Sequence, residues 1–383
     1  MSFWRRACCA ALLAAGAATL PVRAEPLPAG TEAMLKDLKL EASLLEGTQE
    51  ELRVPDAWTE GAKKEAPVIL YDTTSPKDWQ RIYQVFTARY PSLKIEHSQV
   101  NTSARRFVLP LTAYKEGRIL VDVIAGLSGN SFLFRQADAL EDLSVLPNYK
   151  KLPAYGRQPD HITMGSRIQY WCMSYNTDKV KAAELPRDWD DLVASDRFAD
   201  GRLMLGNRPN DWLLYVWHVR GDEWGRKFTQ SLFERLHPQF RKEGLNALVK
   251  LTALGEGEIT VPQAMPRVGD AVRAGAPVGY HCPEPVPFVL TEMGLMKHSP
   301  RSNGAKIFMN WILSKEGQIA QFWANGSTPA REDLHDRRFL DFPDAVAGKQ
   351  MVTLPPDPAA LTAKVAAVWD GYWLKEGAEK SGR

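Results

Sequence analysis

Small polar side chains cluster at three places in the first half of this chain, each after a short apolar run. The runs at 68–71, 93–97 and 121–125 are followed in turn by Thr73, Thr74 and Ser75, by Asn101, Thr102 and Ser103, and by Ser128, Gly129, Asn130 and Ser131. Where a helix begins at such a corner, backbone N–H groups and hydroxyls can hold an anionic or polar ligand. Each corner alone is a weak signal, because the same residues cap helices in many proteins. Their repetition predicts a binding site for a small polar molecule.

Guanidinium and amide groups lie near further predicted loops. The set comprises Arg105 with its neighbour Arg106, then Arg208, Asn210, Gln263 and Arg267. An arginine that faces a cleft can pair with a carboxylate or a phosphonate. For Arg105 or Arg106 taken singly, a solvated helix face is an equally good interpretation. The arginines favour a small organic anion as the ligand class.

Two more residues are ligand candidates of another kind. Tyr170 offers an aromatic ring at the mouth of the site, although core packing would explain it equally well. Glu284 lies in a His-Cys-Pro-Glu-Pro tract at 281–285. Its carboxylate could contact a cationic group or a metal, or it could brace the chain where the chain turns.

Catalysis finds little support in the sequence. There is no Gly-x-Ser-x-Gly elbow, no His-Glu-x-x-His pair and no phosphate-binding Gly-x-x-x-x-Gly-Lys loop. The seven histidines are scattered without the spacing of metal ligands. We therefore expect a binding protein without a cofactor or a resident metal. An exported hydrolase stays open as an alternative, since catalytic partners need not be close in sequence.

The elements that must position these residues alternate along the chain. From residue 67, short apolar runs of strand length alternate with helical patterns, which predicts α/β layers with a largely parallel sheet. The 383 residues, 44% hydrophobic and 25% charged, suffice for two domains of ordinary size. A net charge of +2 gives no reason to expect nucleic-acid binding.

The first 24 residues have the pattern of a signal peptide. Arg5 and Arg6 precede a short apolar run at 10–20, and Val22-Arg23-Ala24 fits the small-x-small cleavage rule. The run is too short to span a membrane. We expect export and a mature chain that begins near Glu25, most simply in a bacterial periplasm.

Removal of that segment leaves two cysteines, Cys172 and Cys282. In an oxidising compartment the two can form a disulfide bond. Two separate buried thiols are the alternative, and the sequence leaves both open.

Four tracts carry a family resemblance. The tract at 62–76 runs from a basic helix end through Val-Ile-Leu-Tyr into Thr-Thr-Ser-Pro, and the tract at 303–318 begins Asn-Gly-Ala-Lys-Ile-Phe-Met-Asn-Trp. With Tyr-Asn-Thr-Asp at 175–178 and Pro-Arg-Asp-Trp at 186–189, they resemble the extracellular solute-binding proteins of ABC importers. The similarity is to the branch of periplasmic ferric-ion, phosphonate and thiamine binders, and it extends from about Trp58 to Ser327.

This resemblance implies a periplasmic binding protein of type II. Such a protein has two α/β lobes, each with a mixed, mostly parallel sheet flanked by helices, and it binds its ligand in the cleft between the lobes. The expected divisions are a signal peptide at 1–24, a helical extension at 25–57, the first lobe at 58–174, the second lobe at 175–282, and a return to the first lobe with carboxy-terminal helices at 283–383. The implied partners are a small solute and an inner-membrane ABC permease, with the receptor a monomer. A sensor system is an alternative partner.

One departure from the family concerns iron. Ferric-binding members use a pair of adjacent tyrosines of the second lobe as ligands, whereas the corresponding stretch at 260–265 reads Thr-Val-Pro-Gln-Ala-Met. Phenolate is hard to replace as a ligand of Fe(III). The missing tyrosines argue against iron, so the organic anion is the preferred ligand and a ferric ion the alternative.

Overall fold

The computed structural model of the protein describes residues 26–127, 130–355 and 358–381, with side chains as far as residue 375. The expected signal peptide thus lies outside the described residues. Among the helices that are described, none is both long and apolar enough to cross a membrane.

A helical segment precedes the first strand. It consists of α1 (Ala29–Leu38), a 3-10 turn (Ala42–Leu45), α2 (Thr48–Glu51) and α3 (Asp56–Ala62). Met34 and Leu35 of α1 are buried in the core of the first lobe. The Thr31 hydroxyl donates a hydrogen bond of 2.5 Å to Glu316, far along the chain. These contacts join the segment to the first lobe.

The first lobe opens with alternating strands and helices. They are β1 (Val68–Asp72), α4 (Pro76–Arg89), β2 (Ile95–Gln99), a π-helical turn (Ala104–Val108) continued by α5 (Leu109–Lys115), β3 (Val123–Ala125) and α6 (Ser131–Gln136). β1 lies between β2 and β3 and is parallel to both. α4 begins at this point because the Ser75 hydroxyl accepts the Asp78 N–H at 3.2 Å and Pro76 fixes the first helical φ. Its apolar stripe, which includes Phe86, is buried.

The long strand β4 (Met164–Asn176) leads into the second lobe. That lobe contains α7 (Trp189–Ala194), β5 (Leu203–Gly206), α8 (Leu213–Arg220), α9 (Asp222–Glu234), β6 (Gln239–Arg241), α10 (Leu245–Leu254), β7 (Ile259–Ala264), α11 (Met265–Arg273) and β8 (Val278–His281). Its strands lie in the order β8-β4-β7-β5-β6. Helices cover both faces of this sheet: Val216 and Phe228 represent α8 and α9 in one apolar cluster, while Val249 and Val268 represent α10 and α11 in another.

The chain then returns through β9 (Val286–Leu295), which is antiparallel to β3 and to the amino-terminal half of β4. After it come α12 (Ser302–Ile312), α13 (Lys315–Asn325) and the short β10 (Thr328–Pro329). β4 and β9 therefore connect two separate α/β lobes, which confirms the predicted fold. The sheets are mixed because these crossing strands run against their neighbours.

Two features hold the crossing together. A disulfide bond joins Cys172 of β4 to Cys282, which follows β8, and both residues are fully buried. The N–H of Glu284 donates to the Arg187 carbonyl at 3.0 Å, and its carboxylate accepts the Gln350 N–H at 2.7 Å. Glu284 thus braces the crossing, which is the second of the two roles that the sequence leaves open for it.

The carboxy-terminal part of the chain ends in a long helix. It comprises α14 (Pro343–Val346), β11 (Met351–Val352) and α15 (Ala359–Ser381). Trp369 and Trp373 of α15 are buried in the core of the second lobe, where the Trp369 ring lies 5.0 Å from that of Phe233. With Val365 they form a stripe at intervals of four residues, and one face of the second lobe buries that stripe. The last helix therefore packs on the second lobe.

Candidate functional site

Asp72 occupies the first corner, at the carboxyl end of β1. Its buried carboxylate accepts the Thr73 N–H at 2.6 Å and the Thr74 hydroxyl, and it lies 3.5 Å from Arg167 Nη2. Burial alone would raise the pKa of Asp72, but Arg167 and the threonine donors outweigh it and hold that pKa below its usual value. The group is therefore an anion that stabilises the corner.

The three predicted residues of this corner have different surroundings. Thr74 is buried and its hydroxyl serves Asp72. Ser75 caps α4. Thr73 is half-buried, and its methyl carbon faces Gly126 at the third corner. Thr73 is thus the member of the trio that reaches the neighbouring corner.

The second corner brings Arg106 into the site. Its Nη1 donates to the Val100 carbonyl at 2.6 Å, whereas Nε is buried without a partner in the described structure. Burial lowers the pKa of Arg106, and nearby Asp72 partly offsets this. A Cβ placed on Gly126 would lie 3.7 Å from the guanidinium carbon, so Arg106 lies between the second and third corners.

Arg105, Thr102 and Ser103 are instead exposed. The sequence leaves open which of the two adjacent arginines faces the cleft. The π-helical turn at Ala104–Val108 directs Arg106 inward, where its guanidinium carbon lies 4.6 Å from the Phe107 ring centre. Arg105 therefore lies at the surface, and Arg106 is the member of the pair that turns inward.

The third corner follows β3. Gly126 has a φ of +74°, which favours glycine, and its N–H donates to the Glu292 carbonyl of β9 at 2.9 Å. Ser128 lies outside the described residues. Asn130 is half-buried, with its N–H 2.6 Å from the Leu127 carbonyl. β9 thus anchors this corner.

Two titratable side chains border these corners without having been predicted. Burial raises the pKa of Glu292, although Gln158, which donates to Glu292 at 2.7 Å, acts in the opposite sense. His97 stacks on Trp79 at 4.6 Å, its Nε2 is buried without a partner among the described atoms, and burial lowers its pKa. The first lobe therefore presents a polar cluster of ionic and neutral groups at the carboxyl edge of its sheet.

On the second lobe, Arg208 and Asn210 are exposed in the turn between β5 and α8. Arg208 Nη1 lies 3.3 Å from the Asp211 carboxylate. Both residues are accessible to a solute, and this turn lies at the carboxyl end of β5, as predicted.

The second predicted pair of this lobe surrounds the start of α11. Gln263 is fully buried, with Nε2 3.4 Å from the Leu245 carbonyl and Oε1 unpartnered within the described part of the chain. Arg267 is half-buried and forms no ion pair with any described residue. Met265 and Pro266 begin the helix between them. Arg267 is the better candidate to reach a ligand.

Tyr170 does not join this cluster. Successive residues of a strand point to opposite faces, so Tyr170 and Ile168 lie on the face of β4 away from Arg167. Tyr170 lines a separate cavity together with Phe288. The structure therefore does not bring Tyr170 together with Asp72.

Sequence reasoning missed Asp72, His97, Arg167 and Glu292. A signal was present for two of them: Asp72 ends the otherwise apolar run Val-Ile-Leu-Tyr, and Arg167 is a lone charge in a buried strand of 13 residues. Charged residues are rarely buried unless they are paired. Among the described residues, no group of three or more histidine, cysteine, aspartate or glutamate side chains is placed to hold a metal ion.

Two α/β lobes joined by two strands, with polar corners at the strand ends, define a two-lobed binding protein. Residues 83–347 match the family of bacterial extracellular solute-binding proteins, and the chain belongs to that family. The resemblance seen in the sequence is thereby confirmed.

Solved structures share this fold. Iron-bound HitA from Pseudomonas aeruginosa aligns with a TM-score of 0.63 and 15% identity over 80% of this chain and 99% of its own. An ABC transporter substrate-binding protein from Bradyrhizobium japonicum gives a TM-score of 0.65 and 16% identity over 79% and 99%. A Haemophilus influenzae protein of uncharacterised function is 28% identical over 155 residues, which is 39% of this chain and 43% of that protein. The match thus spans under half the length of that relative.

Proposed function

We propose that this protein is the periplasmic receptor of an ABC importer and that it binds a small organic anion between its lobes. The observation that carries the ligand class is Arg106, a half-buried residue whose guanidinium Nε is buried and has no acceptor among the described residues. A buried cation without a full set of acceptors is costly, and an anionic ligand removes that cost. Family membership supports the receptor role.

A second-lobe cation supports the same ligand class. Arg267, at the start of α11, has no carboxylate partner among the described residues. An anion held by Arg106 on one lobe and Arg267 on the other gains its second contact only when the lobes approach. Such differential contacts are what drive hinge closure. The closed receptor, a monomer, then docks on an inner-membrane permease, which releases the ligand unchanged.

The start of α11 favours an organic anion over a bare ferric ion. The stretch at 260–265, which leads into this helix, contains no tyrosine, whereas the resemblance implies two adjacent tyrosines as iron ligands. Hard cations such as Fe(III) prefer oxygen donors. Several structural relatives, HitA among them, are named for iron or ferric ion, but this chain lacks the pair of phenolates that would hold it.

The test uses apo-protein, unfolded and refolded to remove retained solute. Thermal unfolding is followed with a panel of small carboxylates and phosphonates, and separately with Fe(III) nitrilotriacetate. A ligand at 100 times its Kd stabilises the folded state by about 2.7 kcal/mol. We expect a carboxylate or phosphonate to raise Tm by several degrees in the wild type but not in Arg106→Gln.

Arg105→Gln is the matched control, because it removes the adjacent, exposed charge. It should respond to the ligand like the wild type. A response to Fe(III) alone, or an equal loss in both variants, would contradict the proposed ligand class. Chemical conversion of the bound molecule, followed by mass spectrometry, would contradict the receptor role and favour an enzyme.

A further inference from the structure

A second cavity lies away from the polar cluster, behind the two crossing strands. Its volume is about 550 Å³, and its walls come from β4, β9 and the carboxy-terminal part of the chain. Phe288, Ile168 and Tyr170 line it from the strands, and Tyr155, Thr328 and His335 line it from the surrounding segments. The volume falls within the range of roughly 300–1,000 Å³ that is usual for small-molecule sites.

The cavity is separate from the proposed anion site. Ile168 and Tyr170 occupy alternate positions of β4 on the face opposite to Arg167. None of the residues assigned to the three corners of the first lobe belongs to its described lining. Its occupant is therefore independent of the solute proposed above.

The lining has no charge that needs a ligand. At its edge, Asp336 is paired with Arg338 at 2.9 Å, and Arg337 is paired with Asp344. Burial lowers the pKa of His335, so the ring is neutral at pH 7. This arrangement suits an uncharged occupant, since an ionised one would lose its hydration without a countercharge.

Aromatic edges and a free hydroxyl define the shape of that occupant. The rings of Tyr155 and Phe288 meet edge to face with their centres 5.5 Å apart, which exposes ring surface to a third ring. The Thr328 side chain is buried, and its Oγ1 makes no hydrogen bond to any described residue. It lies beside the Tyr170 phenol: burial raises the pKa of Tyr170 to about 12, and the neighbouring Thr328 hydroxyl acts in the opposite sense.

We infer that this rear cavity binds a small, neutral aromatic molecule, whose ring packs against Phe288 and Tyr155 and whose polar group bonds the Thr328 hydroxyl. The occupant would lie on β4 and β9, the strands that link the lobes.

The probe for this site is N-phenyl-1-naphthylamine, a neutral aromatic amine whose fluorescence rises in apolar surroundings. Titration of the wild type should show saturable binding of one molecule per chain. Ala347→Trp and Met351→Trp each place an indole at the cavity wall from partly exposed positions, and each should weaken binding at least tenfold. Thr328→Val keeps the shape and removes the hydroxyl, and it should weaken binding about three- to tenfold.

Ala366→Trp is the matched control, at a half-buried alanine of α15 outside the cavity lining. It should bind like the wild type. Thermal unfolding verifies that every variant is folded. Because the two tryptophan substitutions lie at different positions, the test stays valid if one of these variants does not fold. Absence of saturable binding to the wild type would overturn the inference. So would unchanged binding in both tryptophan variants when both are folded. Displacement by 1-octanol at lower concentration than by indole would overturn the aromatic preference.

Discussion

Removing the disulfide bond between Cys172 and Cys282 should destabilise one lobe much more than the other. The bond spans a sequence separation of 110 residues, and the loop it closes contains nearly the whole second lobe. For a loop of that length, the chain-entropy estimate gives about 5 kcal/mol of stabilisation at 25 °C. The first lobe lies outside the loop, so the cross-link does not restrict its unfolded chain in the same way.

The perturbation is the double variant C172A/C282A, compared with the wild type by hydrogen exchange and mass spectrometry in increasing denaturant. Peptides that contain β5 and β7 should lose protection equivalent to several kcal/mol, while peptides that contain β1 and β3 should change little. Hydrogen exchange reports the stability of each lobe separately, whereas one global unfolding curve would report a single value for the whole chain.

The single variant Cys172→Ala controls for the lost sulfur atoms, because it also removes the cross-link but keeps the buried Cys282 thiol. It should resemble the double variant. Unchanged protection of the second lobe, or an equal loss in both lobes, would refute the assignment of the stabilisation to loop closure.

Three other expectations follow from the described contacts. Arg106→Gln should weaken anion binding about thirtyfold or more, because removal of one partner of a buried charge pair costs at least about 2 kcal/mol. Calorimetry with the anion that thermal shift identifies measures this loss. A loss below threefold would contradict the role of Arg106. Glu316→Gln should lower the free energy of unfolding, measured by urea denaturation, by about 3–5 kcal/mol. The reason is that this fully buried carboxylate pairs with Arg89 at 2.8 Å. A change under about 1 kcal/mol would argue against the pair. Burial lowers the pKa of His281 to about 4, below its unfolded value of about 6.5. The contribution of His281 to stability should therefore be complete above pH 6.5 and decline as the pH falls towards 4. In His281→Asn this part of the pH dependence of the unfolding free energy should disappear. The same pH dependence in the variant and the wild type would contradict the assignment to His281.

Local chemistry made the start of the first lobe predictable. The apolar run after Pro67, the Ser75 cap and Pro76 at the first helical position all specify a strand, a corner and a helix within a few residues. The disulfide could be proposed from cysteine count and compartment, but not decided, because pairing depends on where β4 and β8 meet.

The choice between adjacent residues was not predictable. Arg105 and Arg106 are the same residue type, and a π-helical turn decides which one turns inward and is half-buried. Tyr170 lies in a strand with apolar residues on both sides, so periodicity does not reveal which face meets which lobe. The position of α15 likewise depends on a contact with Phe233, more than 100 residues earlier. These outcomes are tertiary, and single-sequence patterns do not encode them locally.

The late elements of the chain have a consequence for biosynthesis. β9 completes the sheet of the first lobe, and α15 covers the tryptophan-rich face of the second. A nascent chain therefore cannot bury the apolar surface of either lobe until its last quarter has been made. Until then both lobes expose surface that favours chaperones or a translocation channel over a finished fold. Folding of both lobes thus waits for β9 and α15.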